Sequence, residues 1–517
     1  MDTSMIRPTK RYENLKELVA DAARKYGDCD AYRYKKNKEI VSKTYNDLLA
    51  DTQAFSRALD AMGLLGTHVA VVGASSYEWV VTYFGTVNSG GVIVPIDKEL
   101  GGDDIAELLN RADVEAVVYD TLLYDRIERI RELCPNIRFF IDSTLELDGE
   151  NALSFEKLIE ANRGSFDTEI DREKMCAILF TSGTTGKSKG VMLTHKSLTD
   201  NATCMDMEEP EGSIMLSVLP IHHAYCFTCD ILAGMCTGAV VCFNDSIMRL
   251  AKNIGIFKPN IVLLVPMIIE SVFYKLQEAA KAYPDVPKPM LAKKIFGENL
   301  RTIYSGGAYL NPKLVVAFDE FGIELIQGYG MTEFSPRISA NMRRCSKLGS
   351  VGILIPGCEA KVVEGELCVR GDSMMLGYYK DEKTTNETII DGWLHTGDLA
   401  YVDEDNFVFI TGRKKNLIIL ANGENVSPEE LENKFSGWLP AKELMVYSDE
   451  GKIVLEVYPN SEVLAAMNIT DFKSVAEQKV AEINSDLPLY KQIHHVIIRE
   501  EEFEKTSSRK IKRRNNT

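Results

Sequence analysis

Long hydrophobic runs are missing from this chain. The longest apolar run, Ile261 to Ile269, is short and broken by Pro266, well below the ~20 apolar residues of a membrane-spanning helix. Met1 to Leu15 carries no apolar stretch of the signal-peptide kind. The expectation is a cytoplasmic protein with no membrane span. An excess of basic charge is missing too. Lys and Arg number 59 against 76 Asp and Glu, a formal net charge of −17. That argues against a nucleic-acid partner, because neutralising phosphates takes a broad basic surface. A disulfide framework is also lacking, since the eleven cysteines are odd in number and scattered, which suits a reducing compartment. His222, His223, Cys226 and Cys229 resemble part of a zinc cluster, but the second ligand pair of a structural site is absent nearby. With Phe227, Ile231 and Leu232 around them, the two cysteines read as small core residues of a helix. No zinc is expected.

What is present is the composition of a globular chain, 45% hydrophobic and 26% charged, at a length that exceeds one compact core. From about Lys16 to Gly330, short β-branched runs alternate with amphipathic stretches, as in βαβ units. Strands are expected at His68–Gly73, Val92–Ile96, Val114–Tyr119, Ile137–Ile141, Met175–Phe180, Ile214–Leu219, Ala239–Phe243, Ile261–Val265, Leu300–Tyr304 and Glu324–Gln327. Helices are expected at Leu15–Tyr26, Tyr45–Met62, Tyr77–Ser89 and Leu122–Leu133. After Ser350 the texture turns to short strands with Gly-containing turns, a β-rich addition. Beyond about Gly412, helical Pro428–Phe435 and Ile469–Asp486 flank a hairpin-like Leu444–Tyr458. The resulting expectation is an α/β chain with two domains. Residues 1–412 form a large domain of mainly parallel sheets with helices and a β-rich subdomain, and residues 413–517 form a small α+β domain. No internal repeat or low-complexity tract is evident.

Directly after the expected strand Met175–Phe180 stands TSGTTGKSKG, Thr181 to Gly190. Glycines let backbone amides approach an anion, while hydroxyls and lysines add donors and positive charge. The composition suits a polyphosphate. It is not the loop of P-loop NTPases, which needs Gly where Thr181 stands and opens a helix where Val191–Thr194 reads as a strand. A plain polar hairpin turn rarely collects this composition after a buried strand.

The segment resembles the phosphate loop of the acyl-adenylate-forming superfamily, which includes acyl-CoA synthetases, luciferases and peptide-synthetase adenylation domains. Ser188 stands where the family has Pro. Further matches follow in the family's order. QGYGMTE, Gln327 to Glu333, resembles the motif whose Tyr stacks on adenine and whose Thr and Glu serve phosphates and Mg²⁺. SGGA, Ser305 to Ala308, resembles the segment lining the adenine and acyl pockets. GELCVRG (Gly365 to Gly371) and GWLHTGD (Gly392 to Asp398) resemble the next two motifs, the second ending in the ribose-binding Asp. GRKKNLIILANGENVSPEELE, Gly412 to Glu432, resembles the interdomain hinge, and KTSSRKIKRR, Lys505 to Arg514, resembles the segment with the adenylating Lys. In that last segment Arg509 replaces the usual Gly and the upstream Pro is absent.

The resemblance implies catalytic roles for Lys510, Thr332 and Glu333, and metal ligation by Thr181 and Glu333. It implies ATP binding by Thr181, Ser182, Gly183, Thr184, Thr185, Gly186, Lys187, Gly307, Ala308, Gln327, Tyr329, Gly330, Asp398 and Arg413. His223, Gly306 and Gly328 would border the acyl pocket, Lys415 would be the hinge, and Gly423 would serve the thiol step. PIHHAY, Pro220 to Tyr225, resembles the pocket motif, and no acid follows before Asp230. A buried substrate ammonium needs a paired charge, so an α-amino acid is disfavoured. The hinge and tail look most like the long-chain fatty acyl-CoA ligase branch. The implied activity is adenylation of a medium- or long-chain fatty acid with ATP and Mg²⁺, then transfer to coenzyme A. Loading of a carrier protein's phosphopantetheine thiol is the second reading, and a silent adenylate-binding protein the third.

Overall fold

The β-branched runs become strands and the stretches between them become helices, giving an α/β protein with mainly parallel large sheets. The computed structural model describes residues 9–181, 188–205, 208–420, 424–449, 451–505 and 511–513. The chain divides into two compact units: Met1–Glu359 with Val369–Leu394, and Ala360–Cys368 with His395–Thr517.

The first unit contains two large sheets. In one, the order is Gly377–Tyr378, Lys189–Thr194, Met175–Thr181, Val92–Ile96, His68–Val72, Val114–Tyr119, Phe139–Asp142 and Leu153–Ser154. Only Lys189–Thr194 runs against its neighbours. In the other, the order is Ile353–Leu354, Arg337–Ala340, Glu324–Gly330, Thr302–Ser305, Ile261–Leu264, Ile214–Ser217, Val240–Phe243, Asp30–Lys36 and Glu39–Thr44. Its middle pairs in parallel and its two ends antiparallel. Strands covered on both faces read as continuous apolar runs, and Val92–Ile96 is buried throughout.

Helix Tyr77–Asn88 is capped by Ser76, which accepts the Trp79 N–H, and is buried almost all round. A helix apolar on every side belongs inside a layer. Its Tyr83 ring lies 3.8 Å from that of Phe227, on the π-helical stretch Phe227–Leu232 that follows strand Ile214–Ser217. One layer of aromatic side chains therefore ties helices of both sheets together. Cys226 and Cys229 are buried helical core residues, Cys229 packing with Met215, Ala239, Ile261 and Leu263.

The second unit, described on its own, pairs Val408–Arg413 with the strand that enters at His395. It also carries a three-stranded sheet of Ala441–Asp449, Lys452–Pro459 and His495–Ile498. Ile453, Leu455 and Val457 from that sheet pack with Leu431 of helix Pro428–Asn433 and with Val480 and Ile483 of helix Phe472–Ser485.

Two local expectations need adjustment, and the expected break at Pro266 stands. Helix Leu122–Leu133 shortens to Ile127–Leu133, because Asp120 accepts the Leu122 N–H and holds Thr121–Leu123 in a separate tight turn. The run Ile261–Ile269 divides at Pro266, which occupies the first turn of helix Pro266–Ala282 after strand Ile261–Leu264, where its missing N–H costs nothing. The hairpin Asp30–Lys36 and Glu39–Thr44 has no counterpart among the expected strands. Its charged residues at the sheet edge hide the period-two apolar pattern.

Candidate active site

Thr181 ends a buried strand opposite Lys189 in the antiparallel hairpin Met175–Thr181 and Lys189–Thr194. The hairpin brackets the phosphate-loop segment. Ser182, Gly183, Thr184, Thr185, Gly186 and Lys187 lie outside the described residues. A strand follows the loop, not the helix of a P-loop NTPase. The base of the loop is fixed laterally, since Arg111 donates to the Ser188 carbonyl at 2.7 Å.

The other motifs of this unit gather at neighbouring strand ends. Leu264 pairs with Ser305, and Ser305 with Gln327, so SGGA and QGYGMTE emerge side by side at carboxyl ends, where open α/β sheets bind ligands. Gly307 has φ +83°, a left-handed conformation that favours glycine, and Ala308 follows it. A Cβ on Gly306 would meet the Tyr225 ring at 3.0 Å, so the hydroxyl end of that ring lies close against this backbone. At Gly330 a Cβ would fall 1.9 Å from the Pro336 carbonyl oxygen. That glycine is demanded by the turn itself. Gly328 is looser, with Ser339 O at 3.4 Å. Gln327 is buried, Tyr329 is half-buried, and Thr332 and Glu333 form the tight turn Thr332–Phe334.

Tyr378 donates its phenol O–H to Glu333 Oε1 at 2.9 Å. Burial, and then the charge of Glu333, raise the Tyr378 pKa far above that of an ordinary phenol, so it stays a donor. Lys189 Nζ sits 4.9 Å from the Tyr378 ring centroid. Thr181, Lys189, Tyr378 and Glu333 thus form a connected chain of contacts.

In the segment expected to border the acyl pocket, His223 is exposed while His222 is partly buried. Burial, reinforced by His223 and Lys98, depresses the His222 pKa, so the neutral ring 3.9 Å from Asp97 makes no ion pair with it. Asp230 is fully buried. Cys226 Sγ donates to its Oδ2 at 3.3 Å, whereas Oδ1 has no hydrogen-bond partner among the described residues. Burial pushes its pKa up to about 7.

In the second unit, Asp398 and Arg413 are cross-strand partners with Nε and Oδ1 2.6 Å apart. Asp398 follows Gly397, whose N–H donates to Glu366 Oε1 at 3.0 Å. Lys414 Nζ donates to Glu366 Oε2 at 2.9 Å, and His395 Nδ1 lies 3.1 Å from the same oxygen. Burial alone would raise the Glu366 pKa, but these partners hold it below the usual range. Glu366, Cys368 and His395 bring potential metal donors within 4.8 Å of one another; the Lys414 ammonium already supplies the cation there. Lys415 lies in the tight turn Lys414–Asn416. Gly423 and Lys510 lie outside the described residues.

Sequence reasoning passed over Tyr378, Lys189, Glu366 and Lys414. Glu366 and Lys414 stood inside quoted motifs with no charge pattern to mark them as partners. Tyr378, in the Gly-Tyr-Tyr after GELCVRG, carried no signal beyond an aromatic beside a glycine.

The family model described as AMP-binding enzyme matches residues 19–379. The long-chain-fatty-acid CoA ligase FadD15 of Mycobacterium bovis is 27% identical over 476 residues, covering 82% of this chain and 78% of its own. The crystal structure of the anthranilate CoA ligase AuaEII with anthranoyl-AMP superposes with a TM-score of 0.84 at 21% identity, covering 99% of this chain and 97% of that one. The o-succinylbenzoate coenzyme A synthetase MenE of Bacillus subtilis, with ATP and magnesium ion, gives a TM-score of 0.77 at 20% identity, covering 96% and 98%. At those identities the likeness to solved structures is one of fold.

Proposed function

Because the chain belongs to the AMP-binding enzyme family, we infer that it is an AMP-forming acid–thiol ligase that adenylates a fatty acid and passes the acyl group to coenzyme A. The observation that carries the reading is the juxtaposition, at strand ends of one unit, of the phosphate-loop hairpin, the SGGA turn and Glu333.

A carboxylate oxygen attacks the α-phosphorus of ATP, the bond to the β-phosphate oxygen breaks, and pyrophosphate leaves an acyl-AMP mixed anhydride. The thiol of coenzyme A then attacks the acyl carbon, its proton is lost, and AMP departs. Both partners of the first step are anions, so catalysis is largely positioning and charge stabilisation. Thr181 and Glu333 offer hard oxygen donors that fit Mg²⁺, and MenE was solved with ATP and that ion. When bound, the metal supplies charge neutralisation on the phosphates. Lys510 is assigned to the substrate carboxylate and α-phosphate, Tyr329 to adenine, and Asp398 to the ribose hydroxyls with Arg413 beside it. Residues 413–517 are proposed to turn about Lys415 between the two half-reactions, bringing the segment of Gly423 to the thiol step.

A fatty acid is favoured over an α-amino acid by the name of the FadD15 relative and by the lack of any acid between Pro220 and Asp230, which is itself fully buried. The same relative's name favours coenzyme A over a carrier protein. No helix among the described residues is long and apolar enough to cross a membrane, and a cytoplasmic location is proposed. The test is pyrophosphate release over a panel of carboxylic acids, with mass spectrometry of the product formed with coenzyme A or holo-carrier protein. Medium- or long-chain fatty acids should outpace every α-amino acid, and a marked amino-acid preference would overturn the assignment.

A further inference from the structure

Glu333 is gripped by a segment 45 residues away in sequence. Besides the phenol hydrogen bond to Oε1, Met375 N–H donates to the Glu333 carbonyl oxygen at 2.9 Å. The short strand Gly377–Tyr378 pairs with the outgoing strand of the phosphate hairpin, Tyr378 opposite Val191 and Gly377 opposite Met192. Tyr379 N–H donates to Gly190 O at 2.7 Å, and Leu376 N–H to Met192 O at 3.0 Å. Tyr378 N–H is itself held by Thr385 Oγ1 at 2.8 Å. The strand is therefore registered residue by residue against the hairpin. One 4%-exposed side chain then spans the gap, its ring under Lys189 and its hydroxyl on Glu333.

We propose that Tyr378 is a positioning residue for the metal–triphosphate site: by engaging Oε1 it fixes the Glu333 rotamer and its offset from the phosphate hairpin, leaving Oε2 to serve as ligand. The inference rests on the reading of Glu333 as the Mg²⁺ ligand. A carboxylate free to rotate would have to be ordered when the metal binds, and Tyr378 meets that entropic cost in advance. A buried tyrosine commonly finds some hydrogen-bond partner, so the test must separate positioning from simple packing.

Tyr378→Phe removes one oxygen and keeps the ring under Lys189. Pyrophosphate release is measured against Mg²⁺ concentration at saturating ATP and fatty acid, for wild type, Tyr378→Phe, Glu333→Gln and the double variant. Alongside, the melting-temperature rise caused by Mg²⁺ in the presence of ATP is read without turnover. Tyr378→Phe should raise the half-saturating Mg²⁺ concentration roughly tenfold, the scale of one hydrogen bond to a charged group, with kcat at saturating Mg²⁺ within about threefold of wild type. Its Mg²⁺-dependent melting shift should move to the same higher concentrations. The double variant should need little more Mg²⁺ than Glu333→Gln, since the hydroxyl acts only through that carboxylate. An unchanged Mg²⁺ requirement in Tyr378→Phe beside a raised one in Glu333→Gln would reduce Tyr378 to packing and overturn the proposal. Unchanged requirements in both variants would remove Glu333 as the ligand, and the proposal with it.

Discussion

Replacing Asp230 by Asn should stabilise the protein at pH 8 and leave it little changed near pH 4. Asp230 is fully buried, and the Ser217 hydroxyl and the weak Cys226 S–H donor beside it do not offset that burial. Burial raises its pKa from 3.8 to about 7. Between those values the native state holds a proton that the unfolded chain has released, so stability falls as pH rises, and the whole cost is present above pH 7. A rise from 3.8 to about 7 puts that cost on the order of 4 kcal/mol. His195 works in the opposite sense over an overlapping window. Burial lowers its pKa from 6.5 to about 4, so its contribution is intact above 6.5 and is lost as pH falls toward 4. The wild-type profile alone is therefore not diagnostic; the difference between Asp230→Asn and wild type is. Melting temperature followed by circular dichroism from pH 4.5 to 8.5 should show that difference growing by several degrees. Parallel curves would refute the reasoning, because they require Asp230 to ionise in the native state without penalty. That result would also weaken the substrate assignment, since a charged Asp230 could pair with an ammonium.

Lys510→Ala should depress adenylate formation, measured by pyrophosphate exchange, by at least the ~3–4 kcal/mol of one oxyanion-type donor, while thioester production from supplied acyl-AMP stays close to wild type. Lys415→Pro should do the reverse, because proline fixes φ near roughly −65° at a position proposed to turn; equal losses in both steps for both variants would defeat the alternating-domain mechanism. Gly330→Ala should lower the melting temperature, costing at least the ~1–3 kcal/mol of overpacking, because its Cβ would lie 1.9 Å from the Pro336 oxygen. Gly328→Ala, with its nearest atom at 3.4 Å, should leave the melting temperature near wild type and alter chiefly the fatty-acid KM; similar destabilisation by both would contradict the packing of this turn.

The amino-acid sequence determined by itself whatever depends on neighbours along the chain. Apolar runs such as Val92–Ile96 became strands at the expected bounds, since a strand buried on both faces needs no partner to be recognised. Glycine and hydroxyl-rich stretches after Met175–Thr181 and Thr302–Ser305 marked strand ends for the same reason, and strand ends are where such sheets hold ligands. Tertiary structure alone decided which side chains meet. The edge hairpin Asp30–Thr44 is apolar only where another strand covers it, so its own residues conceal it. Asp398 was legible as a motif residue, but its Arg413 partner follows from strand register, and the Glu366–Lys414 pair beneath its turn joins residues 48 apart. Tyr378 reaches Glu333 only because Gly377–Tyr378 adds to the phosphate hairpin. Hydrogen bonds between distant residues leave no period and no composition in the chain, because their geometry is set by how sheets pair and not by what precedes or follows each residue.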